Sequence, residues 1–387
     1  MLRLNALDYR LARDKLFSRD SVFVLIVLLL TVILFVIPSP FESPYKQNVQ
    51  RYRAEVLAVD NSMVQQFGIV QTGDQQLTVR LIDGPFAGRE TEAVNSLLGK
   101  MDIDKMYRVG DTAYVVPDVE GDQIVSARAF DHYRLNVELL LFGLFVALLV
   151  IFAGWTGVRA LMSFIFAVLL IWKVLLPLVL AGLDPVLIAL VVVAALSAVT
   201  MGLVAGFNRT ALVAFLGSLL GILLTFVLAS LLFPAFRLHG AILAFSETLL
   251  YSGFAHLDLT RLFLAAVFLG ASGAVMDLAI DVAASMGEVI QKRPDLARRE
   301  LVESGFAVGR AMTSTMVTTL LMAYTAGYMA LLMIFLSQGI PAVNIVNMNF
   351  VAGEVLKTLV GSFGLVTVAP FTAIVGGLIF VRGGAHG

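Results

Sequence analysis

Asp277 and Asp281 stand four residues apart in GASGAVMDLAIDVAASM, a run from Gly270 to Met286 in which every other side chain is apolar or small. On an α-helix that spacing places both carboxyls on one face, one turn apart. If the run lies in a bilayer, each carboxylate needs a partner, a proton or a passing ion. Two neighbouring carboxyls in a low-dielectric medium can exchange a proton near neutral pH, which is the chemistry of a proton or cation relay. The plainer alternatives are an interfacial acid for Asp281 and a packing acid for Asp277, hydrogen-bonded to a neighbouring helix.

Two further groups of side chains could take part. RAMTSTMVTTLLMAYTAGY, from Arg310 to Tyr328, sets Thr315, Thr319 and Met322 on one stripe, with Ser314, Thr318 and Thr325 beside it. Such hydroxyls can bond across helices and line a polar path, or serve as interhelical glue. Lys173 in WKVLLPL, Glu354 and Lys357 are the other charged groups placed within apolar segments. Counting about 1.5 Å per residue, all three fall in one outer-leaflet layer, roughly 10 Å or more from Asp277. A Lys173–Glu354 contact is therefore expected, unless Lys173 snorkels outward.

Other chemistries are disfavoured. The chain has no cysteine and four scattered histidines (His132, His239, His256, His386), so no thiolate chemistry or HExxH-type metal site is expected. No Walker A motif occurs. An intramembrane aspartyl protease needs two acids converging from different helices, and these two share one. The reading is of a protein that is not an enzyme, with no cofactor and no metal. A net charge of −1 points away from nucleic-acid binding.

The elements that hold these groups follow from composition. The 387 residues are 59% hydrophobic and 14% charged, against about 25% charged in soluble domains. That predicts an α-helical polytopic membrane protein of about eight transmembrane helices. Residues 1–20 form a polar, basic N-terminal segment and 21–39 a first span, read as an uncleaved signal anchor. Residues 45–134 change character: RAEVLAV, QLTVRLI, DTAYVVP and QIVSARAF alternate apolar and polar with Gly/Asp turns between, as short strands do. A small OB- or SH3-like β-barrel between helices 1 and 2 is expected.

Residues 135–382 then hold seven apolar segments near 135–153, 157–180, 185–205, 209–233, 261–286, 308–336 and 350–381, each near the ~20 residues a span requires. The last, with Gly361, Gly364 and Pro370, is expected to kink or break. LHGAILAFSETLLYSGFAHL, residues 238–257, reads as an amphipathic helix on the membrane face. Gly217xxxGly221 and Gly270xxxAla274 permit close helix approach. With the N-terminus inside, the short inner loops carry Arg159, Arg209, Lys292, Arg293, Arg298, Arg299, Arg310 and Arg382, and the short outer loops Arg237 and Arg261. This bias predicts a bacterial inner-membrane protein with cytoplasmic termini and an extracytoplasmic β-domain.

GAVMDLAIDVAASMGE, SGFAVGRAMTSTMVTTLLMAYTAG and GSFGLVTVAPFTA, in that order, resemble the YibE/F-like bacterial membrane proteins over residues 130–381. The resemblance implies a permease or exporter with an outer β-domain. A weaker likeness, by analogy only, links the acidic helix and the R-x-x-x-S-T run to proton-driven transporters of the RND and SecD/SecF type. Two functions are expected from different classes. One is a secondary transporter or exporter of a small solute or ion, coupled to protons through Asp277 and Asp281, with Thr315, Thr318, Thr319, Lys173, Glu354 and Lys357 along its path. The other is a non-transporting scaffold or envelope sensor whose β-domain binds a partner. Expected partners are the lipid bilayer, the solute, and a further copy of the chain or an envelope protein.

Overall fold

The computed structural model describes residues 19–38, 50–121 and 123–381. The basic residues expected at positions 3–15, Arg382 and His386 lie outside the described residues. Chain contacts separate two units, one within Phe41–Ile151 and one made from the remainder.

The first unit is a five-stranded sheet: β1 Tyr52–Phe67, β2 Val70–Leu81, β3 Glu90–Leu98, β4 Thr112–Glu120 and β5 Gln123–His132. Period-two patterning builds it. Leu77, Val79 and Leu81 of β2 point inward with Ala54, Val56, Ala93, Val115 and Ala127, while the alternate positions face out. The strand order is cyclic, β1-β2-β3-β5-β4, with β4 returning to β1. The parallel β3–β5 seam is short: Ala93 pairs with Ala127 and Val94 with Arg128. Beyond that the sheet is open along this seam. Its polar centre is Gln75, fully buried, whose amide donates to Asn61 Oδ1 (2.9 Å) and the Tyr107 carbonyl (3.0 Å). The same side chain accepts from Asn95 Nδ2 and from the Tyr107 amide, at 3.0 Å each.

The second unit is helical. Its elements are α1 Arg19–Val36, α2 Leu135–Leu170 (which begins in the first unit), a π turn Ile171–Leu175, α3 Leu176–Leu180, α4 Pro185–Val204 and α5 Arg209–Leu232. There follow α6 Ser246–Tyr251, α7 Leu259–Lys292, α8 Arg298–Ala326, α9 Met329–Ser337, α10 Ala342–Asn347 and α11 Asn349–Phe380. Side-chain caps start several of them. Asp184 accepts from the Val186 and Leu187 amides ahead of Pro185, Asn208 from Ala211, and Asp258 from Thr260 and Arg261.

Among the described residues, five helices are long and apolar enough to cross a membrane, or six if α8 and α9 count as one bent span. Two of the expected eight do not stand as separate full-length spans. The run Leu135–Leu180 is continuous over 46 residues, but the non-helical backbone of Gly154 (φ 56°, ψ −129°) divides it between the segments expected at 135–153 and 157–180. Among the described residues, the apolar helix up to Val36 is shorter than a full span. Residues 238–257 are not one amphipathic helix; a 3₁₀ turn at Gly240–Ile242 and the six-residue α6 replace it. The last segment is neither broken nor interrupted. α11 runs continuously through Pro370, and the Thr367 and Thr372 hydroxyls on either side bond back to the Phe363 and Val368 carbonyls at 2.8 Å.

α11 is the centre of the unit. Gly217 and Gly221 of α5 leave room for Thr372 and Val368 of α11, and Gly364 of α11 leaves room for Thr225 of α5. On its other side Gly305 and Gly309 of α8 lie against Ala373 and Ala369, where a Cβ on either glycine would come within 2.8 and 2.5 Å. Both seams are antiparallel, with contacts four residues apart. The small-residue spacing at Gly217 and Gly221 is thus used for close backbone approach.

Candidate functional site

α7 carries both aspartates, on the side turned away from the helical core. Val275, Leu278, Ala279, Val282 and Met286 are buried; Gly270, Gly273, Asp277, Ala284 and Glu288 are exposed, and Asp281 is half-buried. Neither carboxylate has a hydrogen-bond or ion-pair partner among the described residues. α8 runs antiparallel beside α7. A Cβ on Gly305 would sit 2.6 Å from Met286 Sδ, one on Gly309 3.8 Å from Val282 Cγ2, and one on Gly270 3.0 Å from the Tyr324 hydroxyl. This register sets Thr315 level with Asp277, and Arg310 level with Asp281.

The hydroxyl stripe does not turn toward the acids, however. Ser314, Thr315, Thr318 and Thr319 are exposed on α8. Ser314 donates to the Ala311 carbonyl (2.8 Å), Thr315 to Met312 (3.0 Å) and Thr319 to Thr315 (3.2 Å), all within their own helix. The expected path between facing helices is therefore two polar stripes side by side, on the outward faces of α7 and α8.

The expected Lys173–Glu354 contact is also replaced. Lys173 Nζ, in the π turn, donates to the Ile37 carbonyl just beyond α1, at 2.9 Å. Glu354 instead pairs with Lys357 one turn along α11, at 2.5 Å. Both side chains are largely buried, 13% and 17% exposed. The Lys357 ammonium lies 5.1 Å from the centroid of the Tyr324 ring, within cation–π range. Glu354 Oε2 and the Tyr324 hydroxyl are buried with no hydrogen-bond partner among the described residues.

This cluster sits where the apolar segment at 308–336 changes direction. α8 ends at Ala326 and α9 leaves at 68° after Gly327 and Tyr328. A cavity of about 220 Å³ lies in the elbow, lined by Tyr324, Thr325 and Tyr328 from the bend, Glu354, Val355 and Thr358 from α11, and apolar walls that include Leu321, Leu332 and Leu359. The site thus joins one acid, one base, two phenols and two hydroxyls at an interrupted span. Tyr324 and Tyr328 were not among the expected site residues. The signal for them was the A-Y-T-A-G-Y sequence, where a glycine between two tyrosines ends a helix inside an apolar run.

The first unit has a larger cleft, about 1040 Å³, along the open β3–β5 seam. Arg51, Asp104, Lys105, Arg128, Phe130 and Asp131 are among its lining residues. The Arg51 guanidinium stacks 4.1 Å over the Phe130 ring. Amides of Leu98, Lys100 and Gly99 hold the Asp104 carboxyl below the usual range. Burial pushes Asp131 up, but Arg134 and the His132 amide outweigh it and leave that carboxyl low as well. Both are anions at neutral pH. Among the described residues, no three His, Asp or Glu side chains come together as a metal-holding group.

A family model described as YibE/F-like protein matches residues 141–382, and the chain belongs to that family. No curated protein and no solved structure matches the chain.

Proposed function

We propose that this chain, as a member of the YibE/F-like family, is a secondary transporter that exports a small solute or ion across the bacterial inner membrane. In this reading the elbow between α8 and α9 holds the solute, with Glu354, Lys357, Tyr324 and Tyr328 as its polar contacts. Asp277 and Asp281 carry the coupling proton. The observation that supports it is the interrupted span wrapped around a buried charged pair with unsatisfied polar atoms. Interrupted helices place backbone and side-chain groups at membrane depth where a solute can meet them.

The topology that goes with this reading has eight crossings. Taken as one straight helix, the 46-residue run would be about 69 Å long. That is more than twice a ~30 Å hydrocarbon core, so the interruption at Gly154 is read as dividing two crossings. α1 is read as the first crossing, the termini as cytoplasmic, and the β unit as extracytoplasmic and OB-like.

The test is proteoliposome transport. Purified chain is reconstituted around a pH-sensitive dye and challenged with alkali cations, primary amines and carboxylates under an imposed pH gradient. At least one class should drive saturable proton flux. Glu354→Gln should abolish it, and Asp277→Asn should uncouple it from the proton. An Asp277→Asn protein with full proton-dependent transport would remove Asp277 from the mechanism. If folded protein gives no flux across the panel, the transporter reading fails.

The second reading is a scaffold or envelope sensor, favoured by the large charged cleft of the β unit. On that reading, deleting residues 45–133 abolishes the cellular role while the helical unit still folds, and Asp277→Asn is silent.

A further inference from the structure

We propose that the outward faces of α7 and α8 are covered, in the membrane, by the same faces of a second copy of this chain. The inference does not rest on the transport reading. It starts from a mismatch between a surface and its surroundings. Asp277 is 18 residues past the start of the 34-residue α7, near its middle, and both Asp277 and the hydroxyls of α8 level with it are exposed. Hydrocarbon chains offer nothing to a carboxylate, so a face like this is turned to protein or water.

The face has the shape of a helix-packing surface. Gly273, Asp277 and Ala284 follow one another down α7 at helical spacing. A Cβ built on Gly273 would meet nothing within 4 Å, so the stripe is flat and open to a close neighbour. Thr315, Thr318 and Thr319 form the adjoining strip on α8; the Thr315 and Thr319 hydroxyls donate within their own helix, which leaves their oxygens able to accept from an incoming donor.

Charge identifies the occupant. Arg310 is exposed on α8 and has no partner among the described residues, like Asp277 and Asp281 on α7. The antiparallel register sets Arg310 at the depth of Asp281, yet within one chain the two do not pair. A two-fold axis along the membrane normal preserves depth. It would lay α8 of one copy against α7 of the other and bring each Arg310 to the acids of its partner, twice over. A self-complementary patch of this kind is what an isologous dimer requires. An unrelated partner would have to reproduce that depth match by coincidence.

The absence of cysteine makes the test clean. A Thr318→Cys chain and a Gly273→Cys chain, level in the α7–α8 register and carrying different tags, are co-expressed at full length in membranes and treated with a thiol oxidant. Val191→Cys, an exposed apolar position on α4, replaces either one as the lipid-facing control. The mixed Thr318→Cys/Gly273→Cys pair should form disulfide-linked dimer at least tenfold above the control pairs. Single-molecule photobleaching should give two steps per particle. Arg310→Asp should lower the two-step fraction tenfold or more, and adding Asp281→Arg should restore it to within twofold. Cross-linking of the mixed Thr318→Cys/Gly273→Cys pair no greater than that of the Val191→Cys control pairs, or one bleaching step per particle, overturns the proposal. So does rapid labelling of Thr318→Cys by a membrane-impermeant maleimide, because that result means water covers the face.

Discussion

Replacing Lys357 by Met separates what the elbow does for the fold from what it does for function. Lys357 and Glu354 are 17% and 13% exposed and 2.5 Å apart, and Glu354 Oε2 already lacks a partner. Removing the ammonium leaves a largely buried carboxylate with no compensating charge, which costs about 3–5 kcal/mol when a buried pair is broken this way. Replacing both partners, as Glu354→Gln with Lys357→Met, removes the isolated charge, so the double variant should recover most of that loss. The assay is reversible unfolding in mixed micelles, run beside proteoliposome flux. We expect Lys357→Met to be destabilised by at least about 3 kcal/mol. The double variant should fall within about 1.5 kcal/mol of the parent and be inactive. A single-variant loss below about 0.5 kcal/mol would show that the pair is solvated, against its burial. A stable double variant with full flux would show that the pair only holds α11 in shape.

Three other outcomes follow from the packing. Gly309→Leu forces a side chain into Ala369 across the α8–α11 seam and should cost about 2–3 kcal/mol, whereas Gly143→Ala, which meets open space, should be neutral or stabilising by about 0.5–1 kcal/mol; thermal unfolding compares them. Asp184→Ala removes the α4 cap and the ion pair to Arg261, for about 1–2 kcal/mol at pH 7. Burial pushes the Asp184 carboxyl up, but Arg261 and the Leu187 and Val186 amides outweigh it and hold it below its ordinary range. Its contribution is therefore complete above about pH 4 and lost as pH falls further, so parent and variant stabilities should converge in acid. Gln75→Leu strands the Tyr107 backbone N–H and carbonyl in the β unit and removes one of the two acceptors of the Asn95 amide, and should cost about 3 kcal/mol, seen as faster proteolysis of residues 50–132 in the full chain.

The sequence was most legible where two environments alternate along the chain. In the β unit one face meets the core and the other meets water, so Leu77, Val79 and Leu81 announce their strand. β3 was harder, because ETEAVNSLL opens with charged and polar residues that hide its inward Ala93 and Leu97. In the helices the contrast fails: a lipid-facing leucine is as apolar as a buried one. The shared face of Asp277 and Asp281 could be read from their spacing, but not which way it turned. Thr315, Thr318 and Thr319 were read as facing that pair for the same reason. Local breaks were misplaced because Pro370 is more conspicuous than Gly327. α11 stays helical past its proline, while the backbone leaves helical geometry at Tyr328, just after the glycine that ends α8. The charged layer was partly legible. Depth brought Glu354 and Lys357 together, but one turn along a single helix proved a shorter route to a partner than the distance to Lys173.

The meshing of α5 with α11 limits how these helices can ever move. Gly217, Gly221 and Thr225 engage Thr372, Val368 and Gly364 like the teeth of a rack, and α8 engages the opposite side of α11 at the same four-residue pitch. A slide of one or two ångströms would drive side chains into backbone, so any axial displacement has to jump a whole tooth, about 6 Å. Between such clicks the three helices behave as one girder. Gradual rearrangement is left to parts outside the ratchet, foremost the short arm α9, which leaves α8 at a 68° bend after Gly327 and Tyr328 and lies in neither seam.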